Sequence, residues 1–215
     1  MDILNFISWL KAGKYTTTAP IDAVTVIGVP NTTRGDAYLP ATVPISALQT
    51  NIGKLMGGGI VVSEWFENGV HKALVASLTN LSTSLPYTIT AYQAIAIGAT
   101  ARSYYDGLTN TNAIISQTLL PANTTYAAGI ARLFAGGGFN DWYLPSAWEL
   151  NMCVNAAVIV NRVLGSTNGF VGDYYWSSTE FDNFYAYVHL FTDGTQTISG
   201  KNALSFVRAV RIHTL

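Results

Sequence analysis

The sequence predicts an α+β domain preceded by a short N-terminal segment, and three observations carry this. Phe184 to Phe191 alternates with period two and runs into Thr192-Asp193-Gly194-Thr195, an Asp-Gly hairpin turn. Ser146 with Glu149 three residues later, ahead of an apolar run, is a capping box that starts a helix. Ile60–Trp65 and Lys72–Leu78 flank Glu67-Asn68-Gly69, which reads as a second hairpin. Strands at both ends with helices between them define an α+β arrangement.

In chain order, residues 2–11 form an amphipathic helix capped by Asp2, with Ile3, Phe6, Ile7 and Leu10 on one stripe. Such a short helix needs a surface to dock on. Ala23 to Val29 is a strand, Asn31 to Asp36 a turn, Tyr38 to Val43 an extended piece and Ile45 to Gln49 a helical turn. Within the turn, Arg34-Gly35-Asp36 matches a tripeptide of some adhesion ligands but is read as plain turn chemistry. The boundary is set at 51/52. The hairpin follows, then a Ser/Thr/Asn-rich tract over 79–112 that reads as long ordered loops. Helices are expected at Asn112–Leu120, at Thr124–Phe134 with Ala127, Ile130, Ala131 and Phe134 inward, and at Ala147–Val163. The last helix is given a core face of Leu150, Val154, Ala157, Val158 and Val160 or Asn161, with Gly165 as its stop. Strands are expected from Tyr174, over Phe184–Phe191, over Gln196–Ser199 and as one piece over Phe206–Ile212.

The 215 residues suffice to bury a full core, and the net charge of −1 argues against nucleic acid or an anionic membrane as partner. Charged residues are 11% of the chain, against roughly 25% in an ordinary soluble domain. Mean hydropathy is +0.27. This combination suits a surface covered in an assembly, or one that works outside the cell with neutral polar groups. The single Cys153 excludes an internal disulfide and reads as a buried thiol. No run reaches the ~18 apolar residues of a membrane span. The start, MDILNFISWLKAGK, lacks the features of a signal peptide, so the expectation is synthesis in the cytoplasm without membrane insertion.

Three pieces then stand in fixed order: Asp141-Trp142-Tyr143-Leu144-Pro145 with Glu149-Leu150, Tyr175-Trp176-Ser177-Ser178-Thr179, and Val207-Arg208-Ala209-Val210-Arg211. Over about residues 52–215, with a glycine-rich start at 57–62, they resemble the Lcl C-terminal domain family. The resemblance implies a C-type-lectin-like fold, with two helices against a small twisted antiparallel sheet and long loops on one face. Residues 1–51 resemble an attachment module of tailed-phage virion proteins. Together these imply a bacteriophage virion protein: a tail or head fibre, or a capsid decoration subunit. Its first segment would bind other virion proteins, and its lectin-like domain would bind a host-surface glycan or protein. It would be a homo-oligomer, a trimer for preference. The alternative is a purely structural subunit whose lectin-like domain only packs on neighbours.

In such folds the late loops and strands build the ligand face. This points to Ser178, Glu180, Asp182, Asn183, Tyr185, Tyr187, His189, Phe191, Lys201 and Asn202. The alternation agrees: with Ala186, Val188 and Leu190 inward, Tyr185, Tyr187, His189 and Phe191 face out. Tyr side chains bring contact area at low entropy cost, which suits recognition. Burial against a sister subunit or against the domain's own loops remains open for the same face. Trp142 and Trp176 are expected as core anchors. Ser146 and Glu149 form the cap, and Arg208 and Arg211 pair with carboxylates such as Glu149 or Asp141.

An obligatory calcium site is not expected. Asp173, Glu180, Asp182, Asn183 and Asp193 lie nearby, but the Glu-Pro-Asn and Trp-Asn-Asp signatures of calcium-dependent lectins are missing. Catalysis is not expected either. The formylglycine-generating relatives of this fold need two cysteines, and His71, His189 and His213 lack zinc-ligand spacing.

Overall fold

The computed structural model describes residues 50–215 and, before them, the strands β1 (Ala23–Thr25) and β2 (Thr42–Pro44). The chain divides into two compact units, 1–50 and 51–215. In the first, β1 and β2 pair antiparallel, with Val24 opposite Val43. The expected helix at 2–11, the turn at 31–36 and the helical turn at 45–49 lie outside the described residues.

The second unit is α+β. Its strands are β3 (Leu55–Met56), β4 (Gly59–Glu67), β5 (Val70–Ala76), β6 (Ser82–Leu85), β7 (Tyr174–Glu180), β8 (Tyr185–Leu190), β9 (Gln196–Gly200), β10 (Ser205–Val207) and β11 (Val210–Thr214). Its helices are α1 (Gly107–Gln117), α2 (Ala127–Leu133) and α3 (Ala147–Asn168). The strands make a four-stranded sheet, β11-β5-β4-β3, and a five-stranded sheet, β6-β10-β7-β8-β9. All pairs are antiparallel except β10 with β7.

Where residues 59–62 pair with 73–76, the four-stranded sheet is buried on both faces, which explains the continuous apolar runs there. Ile60, Val62, Leu74 and Ala76 pack with Leu150, Cys153, Ala156 and Val160 of α3. The alternate residues Val61, Ala73 and Val75 pack with Ile114, Ala127, Ala131, Trp142 and Trp176. The segment 142–144 threads between these cores: Trp142 and Leu144 enter one and Tyr143 the other. Tyr143 and Val210 exchange both backbone hydrogen bonds at 2.9 Å, so this segment adds an edge to β11.

Several sequence expectations are corrected here. Three α-helices are described where the resemblance implied two. The first begins at Gly107 instead of Asn112, because Asp106 caps it by accepting the Thr109 N–H. The core phase of α3 is Leu150, Cys153, Ala156 and Val160, while Val158 is 68% exposed. A helix hydrophobic on several sides hides its true phase from periodicity. The helix also runs past Val163 to Asn168, with Gly165 at φ 73° inside it. The expected single strand 206–212 is two strands in different sheets, because the chain crosses from one sheet to the other at Arg208-Ala209. That crossing is fully buried, so its apolar pattern does not break.

Two glycine triplets meet where the 136–138 turn abuts the start of β4. At Gly137, φ is 64° and a Cβ would fall 2.2 Å from the Gly58 Cα. Gly138 also has positive φ, at 81°, but faces open space. Gly137→Ala is therefore expected to cost about 2–4 kcal/mol, strain plus a backbone clash, and Gly138→Ala only about 1 kcal/mol. Urea midpoints of the two variants measure the difference; equal losses would show that the triplets do not need this contact.

Candidate binding surface

The loops that flank the late strands are held from below by one strand. Along β7 the buried side chains Ser177, Ser178, Thr179 and Glu180 are polar. The ladder with β8 breaks here: Trp176 pairs with Val188 and Glu180 with Ala186, so four steps on β7 face two on β8. The bulge turns these residues towards the loops. The Ser178 N–H donates to the Pro145 carbonyl at 2.7 Å, and its carbonyl accepts the Tyr87 hydroxyl at 2.7 Å. The Thr179 hydroxyl donates to the Ser103 carbonyl at 2.8 Å and accepts the Ala147 N–H at 2.9 Å.

Glu180 ends this row. Its carboxylate accepts the N–H groups of Ile97 (2.7 Å) and Gly98 (2.9 Å), the Arg102 Nε (3.2 Å) and the Lys201 Nζ (2.6 Å). Lys201 also donates to the Ile95 carbonyl at 3.0 Å. Both members of the Glu180–Lys201 pair have fully buried side chains. Ser178, Glu180 and Lys201, expected on the ligand face, are thus internal ties. A loop of 79–106 brings many backbone donors and acceptors into the interior, and these side chains satisfy them.

The alternation of β8 is also only half displayed. Tyr185 is 42% exposed and Tyr187 half-buried, but His189 is 1% exposed. α3 packs on β7 and β8, and its Val154 lies against the Gly194 turn. The face that Tyr185 and Tyr187 turn to solvent is therefore covered by the time it reaches His189. Phe191 stacks on Phe170 (centroids 4.7 Å) and meets the tilted ring of Tyr175 (4.5 Å) as part of an aromatic cluster. Its outward placement is corrected likewise. Burial holds the His189 imidazole down at about 4.

What remains exposed is aromatic. Tyr187 meets Tyr104 edge-on at 5.1 Å and Phe181 at 5.6 Å, and Tyr105 meets Trp148 at 5.6 Å. The Trp148 N–H donates to the Tyr104 carbonyl, and Gln196 donates to the Tyr104 hydroxyl at 3.1 Å. Tyr105 (70%), Phe184 (52%), Phe181 (44%), Trp148 (41%) and Ile198 (37%) are all exposed. Partial burial, then the contact with Tyr104, pushes the Tyr187 phenol up to about 12, so it stays a neutral donor. Beside Tyr185 an open depression of about 420 Å³ is lined by Thr90, Gln93, Ala94, Phe184, Gly200 and Asn202. Of the ten expected ligand residues, Tyr185 and Asn202 line it. Asp182 caps the β7–β8 turn by accepting the N–H groups of Phe184 and Tyr185, beside half-buried Asn183. Tyr104, Tyr105, Trp148 and Phe181 were missed as site residues. The tyrosine-rich tract at 104–105 was the signal, but its partner strand is not readable from its spacing.

The residues expected as structural take these places. Trp142 and Trp176 are fully buried, and each indole donates to a carbonyl, of Gly136 and Leu85 respectively. Ser146 and Glu149 complete the capping box. Among the described residues Glu149 binds no arginine: its oxygens accept the Tyr143 hydroxyl and the Ser146 N–H, both at 2.7 Å. Burial nevertheless raises its carboxyl. Arg211 grips Asp141 in two bonds, Nε–Oδ1 2.6 Å and Nη2–Oδ2 2.9 Å, and stacks 3.8 Å above Phe139. That hydrogen bond holds the Asp141 carboxyl below its usual range. Arg208 has no carboxylate partner among the described residues. It donates to Asn80 and to the Asn168 carbonyl and lies 4.6 Å from the Phe170 ring; burial lowers it to about 10, where it keeps its charge at neutral pH.

Among the described residues, no three His, Cys, Asp or Glu side chains converge as a metal site, and no helix is long and apolar enough to cross a membrane. Cys153 is buried, which pushes its thiol up to about 12.

The fold and this surface define an α+β domain with a polar-tied loop region and an aromatic face. Residues 79–211 match the Lcl C-terminal domain, and the chain belongs to that family. The match begins after the β4–β5 hairpin, so the glycine-rich start at 57–62 lies outside it. No curated protein matches the chain. A solved fimbrial protein from Bacteroides ovatus is similar at 17% identity and TM-score 0.44, over 66% of this chain and 35% of that one. The chain thus spans about a third of that protein's length, and a likeness of this strength carries no conclusion.

Removing the Lys201 ammonium takes the closest of two cations from the buried Glu180 carboxylate and leaves it Arg102 and two backbone N–H groups. Lys201→Met is expected to cost about 3–5 kcal/mol, and the double variant with Glu180→Gln less than that. Denaturant titration of both variants tests the clamp; equal losses would overturn it. For His189, the folded-state value near 4 lies below the ordinary 6.5. Its contribution to stability is full above pH 6.5 and is lost as pH falls towards 4. The raised Glu149 works in the opposite sense, since proton uptake there favours the folded chain. Thermal midpoints of His189→Gln are therefore expected to fall less steeply than wild type between pH 7 and 4. Parallel curves would show that His189 does not titrate with unfolding.

Proposed function

We propose that this chain is a non-catalytic surface-binding subunit of a bacteriophage virion, a tail or head fibre or a capsid decoration protein. In this reading residues 1–51 attach it to other virion proteins, and the C-terminal unit is a C-type-lectin-like domain that binds a host-surface glycan or protein. The observation that carries the binding role is the exposed row Phe181, Tyr187, Tyr104 with Tyr105 and Trp148. Exposed aromatic rings in contact with one another mark interaction surfaces. Loops anchored by Glu180 and Thr179 present them at little ordering cost, which favours affinity.

The non-catalytic reading is supported by the buried, strongly raised thiol of Cys153 and the covered His189. The low charge and the resemblance of the first fifty residues support the virion setting. One observation favours the alternative of a packing subunit: Val158, Ile159 and Val163 form an exposed apolar stripe on α3. This stripe suits contact between copies in a homo-oligomer, for which a trimer is our preference.

The test uses the full chain with Tyr105→Ser and Trp148→Ala, both exposed enough to leave the core intact. Attachment to a panel of bacterial cells is expected to fall about tenfold or more, with the sedimentation coefficient unchanged. Unchanged attachment would remove the aromatic row from the binding role. A changed oligomeric state with unchanged attachment would favour the packing subunit.

A further inference from the structure

We propose that the depression beside Tyr185 is a subsite for one uncharged pyranose ring. This rests on the surface-binding reading above and gives it a ligand class and a place. The depression lies between the 89–94 turn and the β8–β9 hairpin. Its volume of about 420 Å³ falls in the size range of small-molecule sites.

Its lining is of two kinds. Phe184 and Tyr185, 52% and 42% exposed, supply aromatic rings. Thr90, Gln93 and Asn202 supply neutral hydrogen-bonding groups. The Gln93 amide is oriented by donating to the Thr88 carbonyl at 3.1 Å. At Gly200 a Cβ would come within 2.8 Å of the Asn202 Oδ1, so the glycine leaves room for that amide. A pyranose presents a C–H face, which stacks on an aromatic ring, and a rim of hydroxyls, which both donate and accept. Amides, likewise donors and acceptors, match that rim. A purely apolar ligand would leave them unpaired.

Charge narrows the class. None of the lining side chains is charged, and the neighbouring Lys201 is buried against Glu180. The Asp182 carboxylate is occupied by the Phe184 and Tyr185 N–H groups at 2.7 and 2.8 Å. A sulfated or carboxylated sugar would bring a charge that no lining side chain matches, at a desolvation cost. A neutral ring carries no such cost. The Glu180–Lys201 pair also ties the 95–98 segment, which follows one wall, to Lys201, which lies between Gly200 and Asn202 of the other.

Calorimetric titration of the full chain with cellotetraose, maltotetraose and N,N′,N″,N‴-tetraacetylchitotetraose, and with heparin for comparison, tests this. At least one neutral oligosaccharide is expected to bind, with less than about twofold change when salt is raised tenfold, since no ion pair forms. Gln93→Ala and Asn202→Ala, both at exposed or half-exposed positions, are each expected to weaken it about tenfold. Neutral binding untouched by both variants would overturn the location. Heparin binding alone, or no saccharide binding, would overturn the ligand class. If the chain then still attaches to cells, only the subsite fails; if attachment is also absent, the surface-binding reading fails with it.

Discussion

The row of buried hydrogen-bonding side chains on β7 is the constraint on which the rest depends. Ser177, Ser178, Thr179 and Glu180 replace the apolar residues that a buried strand ordinarily carries. Each binds a main-chain group or a cation from a distant segment: β8, the 97–107 segment, the start of α3 or the turn after β9. Unpaired, these groups would each cost on the order of a kcal/mol or more inside the domain. Paired, they give the loops defined positions without regular secondary structure. The β7 bulge makes this geometry available, because it frees the Ser178 N–H from β8 for Pro145.

A second tie works at the opposite end. Arg211 joins β11 to the entry of α3 through Asp141, while its third nitrogen donates to the Gly57 carbonyl at the start of β4. One guanidinium thus links three segments far apart in the chain, using the planar fork that a lysine lacks. Arg208 differs although the motif repeats. Lying in the buried crossing between sheets, it meets amide and carbonyl oxygens and an aromatic ring instead of a carboxylate. Two arginines in one short motif therefore do different work because the chain changes sheets between them.

This internal wiring leaves the outer surface to neutral and aromatic groups. Tyr104, Tyr105, Trp148, Phe181 and Tyr187 come from four separate segments and meet only because α1, α3 and the β7–β8 hairpin are pinned to β7. Few charges remain free there, in keeping with the low charge of the whole chain. Such a face offers stacking surfaces and neutral hydrogen-bonding groups in place of charge.

Local signals were legible in the sequence wherever neighbours in the chain decide the structure. The capping box of Ser146 and Glu149, the Asp193-Gly194 hairpin and the β4–β5 hairpin all depend on spacings of a few residues, and all are present as read. The ordered motifs also pointed to the Lcl C-terminal domain family. Tertiary structure decided the rest. Period two set Tyr187 and His189 on one face, but only the tertiary packing left one half-exposed and the other buried. The motif at 175–180 looked like part of a ligand face, since polar side chains near a site suggest contact with ligand. Their partners are instead loop carbonyls and amides as far as 83 residues away in sequence. Periodicity records which way a side chain points along its own element. What covers it is fixed by segments whose approach no local spacing encodes.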